Sequence, residues 1–566
     1  MLRSFTGQDR RSSVYKYNDT QQRGRSDRER MTVEIRKNKR EEKLKSRRTS
    51  NDTNEMATDS DVQILSEVQI VSEIQESMEM FKVWKENNQN MELAAPFSRA
   101  VTRIRHLLSR DNPPLGAVLN ADCLPYVFDA FQWNDEYTHL QVEAAWIFTN
   151  LASSDEQPEY THRVALHPGL VHELVRLLLE GRTPELREQC AMCLGNIAAG
   201  SEDYRDSLLE MDGVRNGLVQ QILHAETETL RKEVVSTTKL LLKSSMNRDL
   251  ILTTCFVKPL IECLKHSSLN DTELQVDICW ALEYLAEGEA ETGERANILL
   301  KHGALEVFMV RLRKLLEQQH LARPAVVVRL VRCIGNFAVG TEEQTSCVLE
   351  AGFLNYVERL LAYSKRVEKD TVWVCSNIAA GTLEQAMTLA KHARVLSGIA
   401  DAANSKKWNV QVESLFTLSN LLCKKEDFIT TRVLQAGVLR PFCSNLKAPD
   451  VDVLLSILDG LEVLLQYNKT LYNGSLICGL QEEGGIEALG DLMYHRSNKV
   501  HDKVAWILSE YIEPELENDD EFESSNLCPA NNGETFEFGV KKQLHFDLEG
   551  MAREDSSQPA GGFPRF

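Results

Sequence analysis

Turn glycines in this chain keep a beat. Gly169, Gly213, Gly303, Gly352, Gly437 and Gly485, in phrases such as "HPG", "MDG", "KHG" and "EAG", are separated by 44, 90, 49, 85 and 48 residues. The two wide gaps are close to two periods. Between the glycines, from about residue 62 to residue 512, apolar residues recur at three- and four-residue steps, the spacing of helices. A second regularity runs in phase with the first. Trp146 and Asn150 stand four apart in "VEAAWIFTNLAS", as do Trp373 and Asn377 in "WVCSNIAAG", and Trp280 with Tyr284 varies the theme in "WALEYLAEG". Asn196, Asn336 and Asn420 share the beat. Asn is unfavourable inside a helix because its amide competes for backbone hydrogen bonds. Its return at a fixed phase therefore calls for a use.

A helical period of roughly 40–47 residues is the signature of armadillo or HEAT solenoids. Each repeat buries its apolar face only against its neighbours, and stacking yields a long concave groove. The expected organisation has three parts. Residues 1–61 are polar and basic, 62–512 form the all-α solenoid, and 513–566, which hold the acidic stretch "EPELENDDEFE" and end in "PAGGFPRF", read as a disordered tail. Within the first part, the stretch from Met31 to Arg48 reads as a helix that needs a partner to order it.

Charge separates arm from body. Residues 1–50 hold 16 Lys/Arg and 7 Asp/Glu, a net of +9; the whole chain is −20, so the remainder carries −29 (−20 minus +9). A basic segment alone suggests nucleic acid, but an acidic body argues against it and suggests that the body binds basic ligands, its own arm included. No apolar run approaches the ~18 residues that span a bilayer, and the charged N-terminus has no signal-peptide apolar region. The 13 cysteines are scattered, mostly in apolar helical phrases, as small hydrophobes of a reducing compartment. Cys190 and Cys193 form a lone CxxC with no second pair and no histidine pair beside it, so no metal or cofactor is expected. No phosphate loop or nucleophile motif is present, which speaks against an enzyme.

In such a solenoid the last helix of each repeat lines the groove, and residues four apart on it face the same way. Rows of Asn can hydrogen-bond the backbone of an extended peptide. Rows of Trp form walls between which the alkyl stem of a Lys or Arg lies flat.

The phrases "QVEAAWIFTN", "EQCAMCLGNIA", "ICWALEYLAEG", "IGNFAVG", "TVWVCSNIAAG" and "DKVAWILSEYI", together with the basic N-terminal segment, resemble the importin α family across roughly residues 25–520. The resemblance implies a right-handed armadillo-repeat superhelix of about ten repeats. It also implies a nuclear import adaptor that shuttles between cytoplasm and nucleus. Such an adaptor binds Lys/Arg-rich nuclear localisation signals and needs neither nucleic acid nor membrane. Its basic segment is implied to be the importin-β-binding region, with Arg36, Lys37, Lys39 and Arg40 on the binding helix. Lys45, Arg47 and Arg48 match an autoinhibitory mock signal, interrupted by Ser46. A nuclear export receptor is implied near Trp506 to Glu523.

The family has a major peptide site on early repeats and a minor one on later repeats. Carried over, Trp146, Asn150, Gln189 and Asn196 match the major site. Met192 and Val235, however, replace two walls. Lys239 replaces an Asn, and Gly200 stands where a carboxylate is expected, with Glu202 or Asp203 as substitutes. Trp280, Tyr284 and Glu287 match the central repeat. Arg332, Asn336, Asp370, Trp373, Asn377, Glu413, Phe416 and Asn420 match the minor site, which is the better kept. The alternative is an armadillo scaffold of the catenin type in adhesion or signalling, whose basic groove fits neither the −29 body nor the Trp–Asn ladder.

Overall fold

The computed structural model describes residues 66–87, 91–110, 112–133, 137–153, 158–243, 250–286, 293–318, 323–471 and 475–512. The basic segment with its two clusters, Glu287 and everything from 513 onward lie outside the described residues. Among the described residues every regular element is a helix and there is no strand. No described helix is long and apolar enough to cross a membrane.

The building block is a triplet of helices, as in Pro158–Ala165, Leu170–Glu180 and Pro184–Gly200. Gly169 sets the second helix of this triplet. It takes φ +79°, in the left-handed region, where a side chain would be strained. Thr183 starts the third helix, its hydroxyl accepting from the Leu186 amide at 3.3 Å, with Pro184 in the first turn, where a missing N–H costs nothing. This third helix is wedged between Thr138–Leu151 and Glu228–Leu241. Its apolar residues therefore run nearly all round it: Leu186, Cys190, Cys193, Leu194 and Ile197 are all buried. Each leucine-sized side chain so enclosed contributes on the order of 1.5–3 kcal/mol, and only the neighbouring repeats provide the enclosure. Polar ties cross the same seams. Gln221 Nε2 donates to the Leu178 carbonyl at 2.9 Å, and Thr237 Oγ1 to the Ala191 carbonyl at 2.8 Å.

The chain divides into two units, Met1–Leu389 and Ala390–Phe566. The first opens with the helices Glu67–Glu86 and Ala94–Leu108 and continues as triplets. The third helices of these triplets are Thr138–Leu151, Pro184–Gly200, Glu228–Leu241, Thr272–Ala286, Pro324–Val339 and Lys365–Ala380, and each packs on the next. Its first end is closed by an aromatic stack. The Trp84 ring lies 4.7 Å from Phe97 and 5.0 Å from Trp133. In the second unit Trp408–Leu422 packs on Val451–Leu471, which packs on Asn498–Ile507. The fold is that of armadillo repeats.

Two of the rhythmic glycines behave otherwise than their phase predicts. Gly213 lies within the helix Asp212–His224 and is not left-handed; Gly484, not Gly485, takes φ +70° before the helix Gly485–Leu492. In the "MDG" phrase the turn is made two residues earlier, by extended backbone at Met211. Gly485 is needed for space instead, since a Cβ there would stand 2.6 Å from the Cys443 sulfur.

Candidate peptide-binding ladder

On the third helices of the first unit, the row that begins with Trp146 continues through Met192, Val235, Trp280 and Arg332 to Trp373. The residues four further on are Asn150, Asn196, Lys239, Tyr284, Asn336 and Asn377. The early rungs are tightly enclosed. Trp146 is 6% exposed and Asn150 2% exposed, and the Asn150 amide nitrogen has no hydrogen-bond partner among the described residues. Gln189 is fully buried, with neither amide atom hydrogen-bonded among the described residues, so in this conformation it offers a peptide no surface. Asn196 is half-buried, and its Nδ2 donates to the Thr149 carbonyl at 2.9 Å, tying two inner helices together. Met192 is half-buried; Val235 is wholly buried and forms no wall. Gly200 is exposed, and Glu202 and Asp203 are exposed in the first turn of the helix that follows, where the helix dipole favours negative charge.

Lys239 does not stand as an uncompensated cation. Its Nζ donates to Asp277 Oδ1 at 2.7 Å, with both side chains largely buried. Asp277 lies three residues before Trp280, on the same face of Thr272–Ala286. The Trp280 ring stacks on Tyr284 at 5.6 Å and carries the Arg329 guanidinium 4.1 Å from its centroid.

A second network follows. Glu283, whose side chain is 2% exposed, accepts from Arg329 Nη1 at 2.9 Å and from Arg332 Nε at 3.0 Å. Arg332 Nη1 also reaches Asp370 Oδ1 at 3.0 Å, and the guanidinium lies 5.5 Å from the Trp373 ring centroid. Burial opposes the charge of Arg332, but Glu283 and Asp370 outweigh it and hold its pKa above the ordinary value. Asp370 is thus committed to an intrachain cation. Asn336 is half-buried with an unpartnered amide nitrogen, whereas Asn377 Nδ2 donates to the Trp373 carbonyl at 2.8 Å.

In the second unit, Phe416 is 8% exposed, Asn420 is half-buried with an unpartnered amide nitrogen, and half-buried Glu413 lies on the same helix. Cys190 and Cys193 are enclosed in the helix Pro184–Gly200. Burial pushes the Cys193 thiol up to about 12 and Cys190 well above its ordinary value, which closes thiolate chemistry to them.

The Trp–Asn pattern did not point to Glu143, Asp277, Glu283 or Arg329. Glu143 is held by Arg105 at 2.7 Å. A signal for three of them was present, since Glu143, Asp277 and Arg329 each stand three residues before a member of the Trp row.

The sequence model of the importin beta binding domain matches residues 11–96, running from the basic segment into the first described helices. Importin subunit alpha-1a of Oryza sativa subsp. japonica is 27% identical over 538 residues, covering 94% of this chain and 96% of that protein. Over most of its length the chain is similar to importin α subunits. Importin subunit alpha-3 of Arabidopsis thaliana is 28% identical over 540 residues, with 94% and 96% covered. An engineered protein of known crystal structure, 21% identical, superposes with a TM-score of 0.62 over 77% of this chain and 98% of its own; that likeness concerns the fold alone. Against these importin α relatives the chain is divergent.

Proposed function

We propose that this chain is a nuclear import adaptor of the importin α type that binds Lys/Arg-rich localisation signals on its ladder. The observation that carries the reading is the importin beta binding domain at residues 11–96 in series with helical repeats that bear Trp and Asn rows. The −29 body favours basic peptides over acidic ones. Arg36, Lys37, Lys39 and Arg40 engage importin β, while Lys45, Arg47 and Arg48 fold back as a mock signal when importin β is absent. The chain shuttles between cytoplasm and nucleus without catalysing a reaction. An export receptor recycles it at the C-terminal end of the solenoid, where Trp506 is 51% exposed.

The test is a pull-down of the full chain with importin β, beside the variant in which Arg36, Lys37, Lys39 and Arg40 are all Ala. Loss of the complex in the variant is expected; retention would assign the wrong partner or segment. A parallel assay compares an immobilised Lys/Arg-rich peptide with an acidic one, and only the former should retain the protein. Trp506→Ala should weaken capture by the export receptor and leave importin β binding intact.

A further inference from the structure

One rung of the ladder is filled from within the chain on both sides. Asp277 and Trp280 share a face of Thr272–Ala286, and together they offer what a cargo lysine or arginine needs: a carboxylate for the charge and an indole face for the stem. Lys239, from the preceding inner helix Glu228–Leu241, holds Asp277 at 2.7 Å. Arg329, from the following inner helix Pro324–Val339, covers Trp280 at 4.1 Å.

We infer that Lys239 and Arg329 are specificity-determining residues, occupying in cis the places of two cargo cations and so keeping basic side chains off the Asp277–Trp280 rung. This inference rests on the reading of the ladder as a basic-peptide face. Two lines of physical reasoning support it. A cargo cation must displace a hydrogen-bonded, largely buried partner before it gains the same contact, so the exchange yields little. The occupants are also held unequally. Arg329 is locked by a second contact, its ion pair at 2.9 Å with the buried carboxylate of Glu283, which Arg332 also engages. Among the described residues the one ion pair of Lys239 is with Asp277. Lys239 is therefore the occupant whose removal opens the rung, and its effect on cargo is occupancy of an acceptor, not simple repulsion.

The test uses the full chain and a fluorescent peptide with a single Lys/Arg cluster, read by anisotropy over a range of salt concentrations. Lys239→Met frees Asp277 and should tighten binding about tenfold, the worth of one charge-assisted hydrogen bond. It should also steepen the salt dependence, because one more ion pair forms with the peptide. Adding Asp277→Asn to Lys239→Met should cancel both changes. Circular dichroism and thermal melting verify the fold. If Lys239→Met does not fold, Lys239→Gln, which keeps a donor but no charge, serves in its place with the same expectation. A wild-type chain that binds the peptide no more weakly than Lys239→Met overturns the inference and leaves the adaptor reading standing, as does a gain that survives Asp277→Asn. If neither wild type nor the folded variant binds any basic peptide, the cargo reading falls and takes the inference with it.

Discussion

Arg332 Nη1 donates to Asp370 Oδ1 across 3.0 Å, while its Nε donates to Glu283. On the proposed adaptor reading Asp370 stands where a carboxylate would meet a cargo cation, yet its charge is already balanced from the preceding inner helix. The arginine has thus become part of the scaffold that spaces the rungs. Removing it strands Asp370, whose side chain is only 7% exposed, and leaves the buried Glu283 to Arg329 alone. Arg332→Leu should therefore destabilise the first unit by about 3 kcal/mol, the typical loss when one member of a buried ionic group is deleted. Asp370→Asn should cost less, because it leaves no charge unpaired. Urea unfolding followed by tryptophan fluorescence checks this, and a loss below about 1 kcal/mol for Arg332→Leu would show the network to be dispensable.

Gly335 is a glycine because Trp373 lies against it. A Cβ there would overlap the Trp373 ring and stand 2.9 Å from Val374 Cγ2. Gly335→Ala should cost about 1–3 kcal/mol as overpacking, shift tryptophan emission and weaken basic-peptide binding. Gly303→Ala is the contrast. Its φ is +76° with nothing within 4 Å of a Cβ, so backbone strain of about 1–2 kcal/mol is expected, with no change in tryptophan emission or peptide affinity.

The later Trp–Asn pair should matter more than the earlier one. Asn377→Ala is expected to weaken a single-cluster basic peptide roughly tenfold or more, and Asn150→Ala less. Both asparagines are enclosed, but Asn150 lies beside a rung where Met192 and Val235 have replaced walls, whereas Asn377 stands next to half-exposed Trp373. Calorimetry with the two variants decides. A larger loss for Asn150→Ala would make the early site the principal one, with Glu202 or Asp203 supplying its carboxylate.

Deleting residues 1–60 should raise the affinity for basic peptides, because a tethered arm that is +9 over residues 1–50 competes at high effective concentration for a remainder of −29. Equal affinities with and without the arm would remove self-inhibition from the reading.

His167 sets an acid limit on the first unit. Burial holds its pKa below the ordinary 6.5, against the opposing pull of Asp122 and Asp129. The unfolded chain therefore takes up a proton at higher pH than the folded one. Stability contributed by neutral His167 is present above pH 6.5 and is lost as pH falls towards the lowered value. His167→Phe, whose ring fits against Phe128 where the tilted His167 ring now packs at 4.8 Å, should flatten the fall in melting temperature between pH 7 and 5. An unchanged slope would assign the acid sensitivity elsewhere.

The sequence by itself determined the repeat, the helical class and the rows. These rest on periodicities of three to four residues within a helix and of about forty between helices, and both are properties of the chain read in order. It also determined the separation of a basic arm from an acidic body, and the departures at Met192, Val235 and Lys239. What only the tertiary structure decided is which charges are still available. Lys239 and Asp277 are 38 residues apart, as are Arg332 and Asp370, and Arg329 and Glu283 are 46 apart. Each pair meets because neighbouring repeats stack at one particular offset. A residue's position on its own helix face is a local property, legible from spacing. The partner across the seam depends on the register between two helices, set by the packing of the whole core between them, and so Lys239, which reads in order as a repelling cation, is in the folded chain half of an ion pair.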